Sequence, residues 1–455
     1  MDTSIFRSYD VRGLYPQQID AEIAKQIAMA YLSVVSRKLP KPVKNLKIVV
    51  ARDVREASEP LMKSAVEVFL KYGAEVHDLG LVSINDFYFA TGYFKYDCGF
   101  MATASHNPPG YGGFKMIMNS TEYTDSIKYI SGQQVYKELE SIKDCHPEEK
   151  KGKYKKRDIS KDHIKHILSF VDVKKINKLK VLADTGNGMV GLILPKLFAK
   201  LPAELISIFS ELDPKFANRP PNPLAKDAYL PASQTVLKNK ADLGVMFDVD
   251  GDRMFLLDEK GQFIRGDMTL LLLAKMLLKK DPGAGIVYNL IRPPAVPELI
   301  AKWGGRPIRS EVGYINLARH MHLEQGSMSG EVSGHFAFKE NYYTDSGLIA
   351  LVLALQAISE DGRPLSEIIK DFSLYYRGDE FNIEVENIPA KLEKIRYHYH
   401  DNIKDEIDGI TVEFGDWWFN VRPSNTEPLL RITVEAKDKL SAEQRQQEIL
   451  KVINN

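Results

Sequence analysis

Asp248, Asp250 and Asp252 stand at alternate positions directly after the apolar run Leu243–Phe247. If the chain stays extended there, all three carboxylates project to one side. Hard oxygen ligands converging in this way suit Mg²⁺, which keeps coordination places for water or phosphate oxygen. The same spacing occurs in solvated acidic turns and in EF-hand loops. An EF-hand starting at Asp248 would need a liganding Glu at its twelfth position, which is Glu259, and flanking helices, but a strand-like Met254–Leu257 intervenes. Metal site and acidic turn therefore remain as competing readings.

Three further stretches carry polar groups that could act together. Ser105 follows the apolar Gly99–Ala102 and opens a His-Asn-Pro turn that exposes its hydroxyl. A serine needs activation by a base, a metal or a phosphoryl group, and for Ser105 alone a turn-forming role is the commoner one. The aspartate trio alters that balance, because a phosphorylated Ser105 would carry about two negative charges and take a divalent cation as counter-ion. In Gly330–His335 the glycines permit tight turns while Glu331, Ser333 and His335 offer acceptor, hydroxyl and imidazole, a set that matches sugar hydroxyls and equally fits a polar hairpin with a surface histidine. Arg422, Ser424, Asn425 and Thr426 follow an aromatic stretch with Trp417 and Trp418 and combine a guanidinium fork with further donors, either a phosphate cradle or a capped turn.

These loops must be held by something, and the chain supplies a pattern that recurs three times. An apolar strand enters a polar turn, a helix follows, and two more strands come after. The strands are expected at Lys47–Ala51, Ala74–Leu79 and Gly99–Ala102, then Lys180–Ala183, Glu204–Phe209 and Leu243–Phe247, then Gly285–Asn289 and Arg306–Ser310 leading to Gly330. Strands alternating with helices imply largely parallel sheets, which bind ligands beyond the carboxyl ends of their strands. Each copy ends in one of the polar loops. The stretch Cys145–Arg157, rich in Lys and Glu, reads as a solvated connector, and after about Ser373 short alternating segments and a polar helix from Ala442 predict a smaller α+β domain.

At 455 residues several domains are expected, placed at 1–152, 153–255, 256–370 and 371–455. Lys+Arg and Asp+Glu both number 61, a balance that points away from nucleic acid and from anionic membranes as partners. The two cysteines, Cys98 and Cys145, are too few for a disulfide framework, and no apolar run reaches the roughly 18 residues of a membrane span, so a cytoplasmic protein is expected.

Together the four loops resemble those of the α-D-phosphohexomutase superfamily, its phosphomannomutase/phosphoglucomutase branch in particular, over essentially the whole chain. Thr103–Pro108 is similar to the phosphoserine loop, Asp248–Arg253 to the metal loop, Gly330–His335 to the sugar-binding loop and Arg422–Thr426 to the phosphate-binding loop; Phe6–Gly13 is similar to the opening segment that brings Tyr9 and Arg12 to the active site. The resemblance implies three related α/β domains with mixed, largely parallel sheets and a smaller C-terminal α+β domain around a central cleft. It implies that Mg²⁺ is held by Ser105, Asp248, Asp250 and Asp252, that Arg253 assists the transferring group, and that Lys115 and His335 serve as general acid and base supported by Arg12 and His106. Tyr9, Arg292, Glu331, Ser333, Arg422, Ser424, Asn425 and Thr426 would bind substrate, a small-molecule sugar phosphate, with glucose 1,6-bisphosphate or mannose 1,6-bisphosphate as activator. A monomer or weak dimer is expected. Val332 in Gly-Glu-Val-Ser-Gly-His is closer to the mannose/glucose pattern Gly-Glu-Met-Ser than to the Gly-Glu-Gln-Ser of phosphoglucosamine mutases. Two departures fall in the third domain: Val312-Gly313-Tyr314 lacks the family's histidine and lysine, and Asn289–Arg292 lacks a lysine for which Arg292 would substitute. A non-catalytic sugar-phosphate binding protein on the same scaffold is the alternative of a different class.

Overall fold

A computed structural model describes residues 1–39, 41–139, 151–289, 295–378, 381–406, 409–423 and 429–454. They form two compact units, Met1–Thr269 with Ser333–Ser366, and Leu270–Val332 with Glu367–Asn455.

The first unit holds two sheets. Strands β1 (Val11–Leu14), β2 (Lys47–Arg52), β3 (Glu75–Leu81), β4 (Cys98–Ala102), β5 (Tyr111–Asn119), β6 (Ile127–Ile130) and β7 (Tyr154–Lys156) build the first, in the order β1-β5-β4-β2-β3-β7 with β6 beside β5. Strands β2, β3, β4 and β7 run parallel, while β5 pairs antiparallel with β4, β1 and β6. The second sheet comprises β8 (Lys180–Asp184), β9 (Glu204–Ile208), β10 (Leu243–Phe247), β11 (Met254–Leu257) and β12 (Phe263–Ile264), ordered β12-β11-β10-β8-β9. In the second unit β13 (Gly285–Asn289) lies between β14 (Arg306–Ser310) and β15 (Gly326–Gly330), all parallel. Each repeat thus has its first strand in the middle, its second on one side and its third on the other. The threefold pattern expected from the sequence is the architecture.

Sequence explains why these strands are central. β4 and β10 are apolar runs buried at every position, as parallel strands covered on both faces must be. One face of the first sheet packs Phe100 against Tyr31 and Phe69, with ring centroids 5.0 and 5.3 Å away, and the Tyr31 hydroxyl donates to Gly99 O and Ile117 O. The other face packs against the helix Ile84–Tyr93, opened by a capping box between Ser83 and Asp86.

Two expectations need correction. Cys145–Arg157 is not merely a connector: within its described part, Tyr154–Lys156 adds a parallel strand to β3, so the first sheet takes in residues beyond 152. Its side chains are exposed, so no apolar alternation announces it. Likewise β11 and β12 carry the second sheet past residue 255. The C-terminal region forms an antiparallel sheet whose central strands are Trp417–Pro423 and Leu429–Ala436, with the helix Lys439–Asn454 packed on it, as the alternating segments predict.

Candidate active site

β4 delivers its chain to the sheet's carboxyl end, where Thr103 N still donates to Gly113 O and continues the ladder. The chain then breaks sharply. Ser105 adopts φ +48, in the left-handed region, which costs a side-chain-bearing residue about 1–2 kcal/mol. Thr103 Oγ1 accepts from Ser105 N at 2.9 Å, and Ser105 Oγ ends 3.2 Å from His106 Nδ1 and 3.4 Å from Asp248 Oδ2.

β10 delivers the aspartates, though not by prolonging the strand. Asp248 Oδ1 accepts from Gly251 N at 3.1 Å and Arg253 N at 3.2 Å, and Gly251 sits at φ +85, so the loop curls. The trio converges because of that turn rather than through extended alternation. One ligand atom from each of Asp248, Asp250 and Asp252 lies within 4.8 Å of the others, and all three residues are buried. The EF-hand alternative fails, since Met254–Leu257 is a strand and the Glu259 carboxylate is engaged by Ser366 Oγ at 2.5 Å.

Lys115 Nζ, from β5, lies 2.9 Å from Asp250 Oδ2 and 2.5 Å from Asp252 Oδ2. Arg253 Nε is 3.7 Å from Asp248 Oδ2 and 3.4 Å from His335 Nε2, and His335 Nδ1 is 2.9 Å from Ser333 Oγ. Burial, and then the neighbouring Asp252 and Asp250, push the Asp248 carboxyl well above the usual range. Burial opposes ionisation of Asp252 too, but Lys115, His335 and Arg253 outweigh it and hold that carboxyl below its ordinary value. Burial, reinforced by Arg253 and Arg12, keeps the His106 imidazole far below its ordinary value and hence neutral.

This donor set fits a hard divalent cation. Asp250 Oδ1 and Asp252 Oδ1 are buried without a hydrogen-bond donor among the described residues, Asp252 Oδ1 facing His335 Nε2 at 3.6 Å, and buried charge of that kind persists only when paired or metal-bound.

The structure therefore brings together Ser105, His106, Lys115, Asp248, Asp250, Asp252, Arg253, Ser333 and His335. Arg12 joins them, its NH1 donating to Asn107 Oδ1 at 2.7 Å and Ala104 O at 3.3 Å while Asp10 holds Nε and NH2. Tyr9 is half-buried in the bend before β1. In the second unit, Glu331 follows β15, and its Oε1 accepts from Gly313 N at 2.8 Å and Asn289 Nδ2 at 3.4 Å. Arg422 lies on the strand Trp417–Pro423. Arg292, Ser424, Asn425 and Thr426 lie outside the described residues.

Sequence reading passed over a supporting set. Ile84 N donates to Asp250 O at 2.9 Å and Asn85 Nδ2 to Gly251 O at 2.7 Å, so a helix of the first repeat clamps the aspartate loop of the second. Arg219 performs a similar task from below, donating to Asp184 and to Phe247 O. Asp53 and Arg55 stand just past β2, and their place at the carboxyl end of a central parallel strand was the available signal.

A serine hydroxyl set against a buried acidic trio, with cations around it and repeated parallel sheets beneath, has the parts that enzymes of metal-assisted phosphoryl transfer use. Known proteins sharpen that class. Models of the phosphoglucomutase/phosphomannomutase α/β/α domains I, II and III match residues 3–135, 161–261 and 265–375, and the C-terminal domain matches 380–452. A phosphomannomutase of Methanocaldococcus jannaschii is 35% identical, covering 99% of this chain and 98% of its own length, and one of Vibrio cholerae is 33% identical, covering 97% and 96%. A solved phosphoglucomutase/phosphomannomutase family protein from Burkholderia thailandensis superposes with TM-score 0.86 at 28% identity, covering 100% of this chain and 97% of that one. The chain belongs to the phosphoglucomutase/phosphomannomutase family, and it is an enzyme of the isomerase, phosphotransferring kind. No helix among the described residues is long and apolar enough to cross a membrane.

Proposed function

We propose that the protein interconverts hexose 6-phosphate and hexose 1-phosphate, with mannose and/or glucose as the sugar, through a phosphoserine at residue 105 and a hexose 1,6-bisphosphate. The observation that carries the reading is the Ser105 hydroxyl 3.4 Å from Asp248 Oδ2. Around it stand the groups that phosphoryl transfer needs.

In the forward half-reaction the P–O bond to Ser105 Oγ breaks as one forms to the free sugar hydroxyl. Lys115 and His335 serve as general acid and base, one taking the proton of the attacking hydroxyl as the other donates a proton to the departing oxygen, and the two exchange roles in the second transfer. His106, being neutral, shares a hydrogen bond with the unphosphorylated hydroxyl through Nδ1. Arg253 faces the transferring phosphoryl group, and Arg12 holds the loop through Asn107 and Ala104. Asp248, Asp250 and Asp252, with the Ser105 phosphate, would hold Mg²⁺, which when bound supplies charge neutralisation at the phosphoryl oxygens. Tyr9, Arg292, Glu331, Ser333, Arg422, Ser424, Asn425 and Thr426 are assigned to substrate, the sugar hydroxyls falling to Glu331 and Ser333.

Glucose 1,6-bisphosphate or mannose 1,6-bisphosphate would load Ser105 as activator. The four-domain division belongs to this proposal, as do a monomer or weak dimer and a cytoplasmic setting. The names of the Methanocaldococcus jannaschii and Vibrio cholerae relatives support mannose.

The test is to supply mannose 1-phosphate, glucose 1-phosphate and glucosamine 1-phosphate separately with Mg²⁺ and a trace of bisphosphate, and to compare kcat/KM. The 6-phosphates should form from the first two with almost no inorganic phosphate. Glucosamine as the best substrate would move the protein to the phosphoglucosamine branch, stoichiometric phosphate release would make it a phosphatase, and binding without turnover would make it a sensor.

A further inference from the structure

Arg55 has no place in the reaction as set out above, yet it is one of the most constrained side chains near Ser105. It follows β2 at the sheet's carboxyl end and is 3% exposed. Its NH2 donates to Ser105 O at 2.5 Å and Asn107 O at 2.6 Å, and its NH1 to Pro108 O at 2.9 Å. Behind it, Nε lies 3.3 Å from Asp53 Oδ2. Asp53 is itself fully buried, accepts from Arg55 N at 3.0 Å and is held by the Ser58 hydroxyl. The Phe216 ring covers the guanidinium, its centroid 4.9 Å from Cζ.

We propose that Arg55 is a positioning residue for the nucleophile: its guanidinium fork fixes the carbonyls of residues 105, 107 and 108, and thereby the left-handed backbone that turns Ser105 Oγ toward Asp248. The inference rests on the reading of Ser105 as the phosphoryl carrier. A non-glycine residue stays at positive φ only where its surroundings over-determine it, and three carbonyls gathered on one rigid cation do so here. Lysine, with a single ammonium on a flexible stem, cannot match a planar fork that serves several carbonyls and a backing carboxylate. Released from the fork, the loop would carry Ser105 out of line, and a misplacement of about 1 Å costs on the order of 100-fold in rate. Arg55 touches loop carbonyls, Asp53 and Phe216, so the defect belongs to transfer rather than to substrate affinity.

The experiment compares wild type, Arg55→Lys and Arg55→Ala by kcat, KM, the rate of Ser105 labelling by glucose 1,6-bisphosphate, and folding by circular dichroism. The expected result for folded Arg55→Lys is a kcat and a labelling rate lower by about 100-fold, with KM within about threefold of wild type. Millimolar guanidinium ion should restore part of the activity of Arg55→Ala. If Arg55→Ala does not fold, Arg55→Lys decides alone. A folded Arg55→Lys with wild-type kcat and labelling overturns the inference, as does a rate loss that merely follows the unfolded fraction. Failure of wild type itself to label or turn over would instead sink the reading of the function, so the two failures are distinct.

Discussion

Lys115 is a single ammonium held against two buried carboxylates, Asp250 at 2.9 Å and Asp252 at 2.5 Å. Removing one partner of a buried ion pair strands the other, at a cost of about 3–5 kcal/mol. Here the stranded groups are also the proposed metal ligands. Lys115→Met is therefore expected to lose about 3 kcal/mol of stability in chelator and to regain most of it on adding Mg²⁺, as read from urea midpoints. An equal loss with and without Mg²⁺ would contradict a cation site at the trio. What was legible at this scale was residue type and spacing: three aspartates at alternate positions put a cation site beside an acidic turn as the two readings. Their mode of convergence was not legible, because it depends on Asp248 capping the amides of Gly251 and Arg253. Nor could spacing find Arg55, Asn85 or Arg219, each of which acts on a segment remote in the chain. Nor could spacing show that Glu331 Oε1 accepts from Gly313 N and Asn289 Nδ2 in its own unit.

At the scale of elements, the helices Ile84–Tyr93 and Ser160–Ser169 lock together through His163 and Asp86, whose side chains meet at 2.7 Å. One turn further along, His166 lies among the rings of Phe89, Phe170 and Tyr342, with Nε2 3.0 Å from Asn341 Oδ1. Burial pushes its imidazole from the ordinary 6.5 down to about 4. The sign follows from proton uptake. Above pH 6.5 neither folded nor unfolded chain protonates this ring; as pH falls from 6.5 to about 4 the unfolded chain does and the folded one does not, so stability is lost across that window. The loss from this group reaches about 3 kcal/mol at most. His166→Phe, which keeps the ring stacking, should flatten the decline of the urea midpoint between pH 6.5 and 4. Parallel declines in both proteins would show that another group sets the acid limit. Elements were legible where burial imposes apolar runs: the expected limits of Leu243–Phe247, Gly285–Asn289 and Arg306–Ser310 coincide with the observed ones. β7 escaped notice because Tyr154, Lys155 and Lys156 are all exposed at a sheet edge, where nothing selects for alternation.

For the whole chain, the repeat was the most legible feature, since each copy must bury a central parallel sheet and deliver a polar loop at its carboxyl end. Each unit obeys that rule. β4 leads to Ser105, β10 to Asp248 and β15 to Glu331, the third strand of the repeat in every case. Domain limits were less legible, because strands of the first and second sheets run past the turns and charge runs that seemed to close them.

The claim on which the rest depends is that phosphate resides on Ser105. Metal-replete protein incubated with glucose 1,6-bisphosphate, digested and analysed by mass spectrometry, should yield the peptide containing Ser105 heavier by roughly 80 Da, one phosphoryl group. The label should be lost on chasing with hexose monophosphate and absent from a folded Ser105→Ala variant that no longer turns over. An unlabelled Ser105 in protein that interconverts the sugar phosphates, or a label on another residue, would contradict the account.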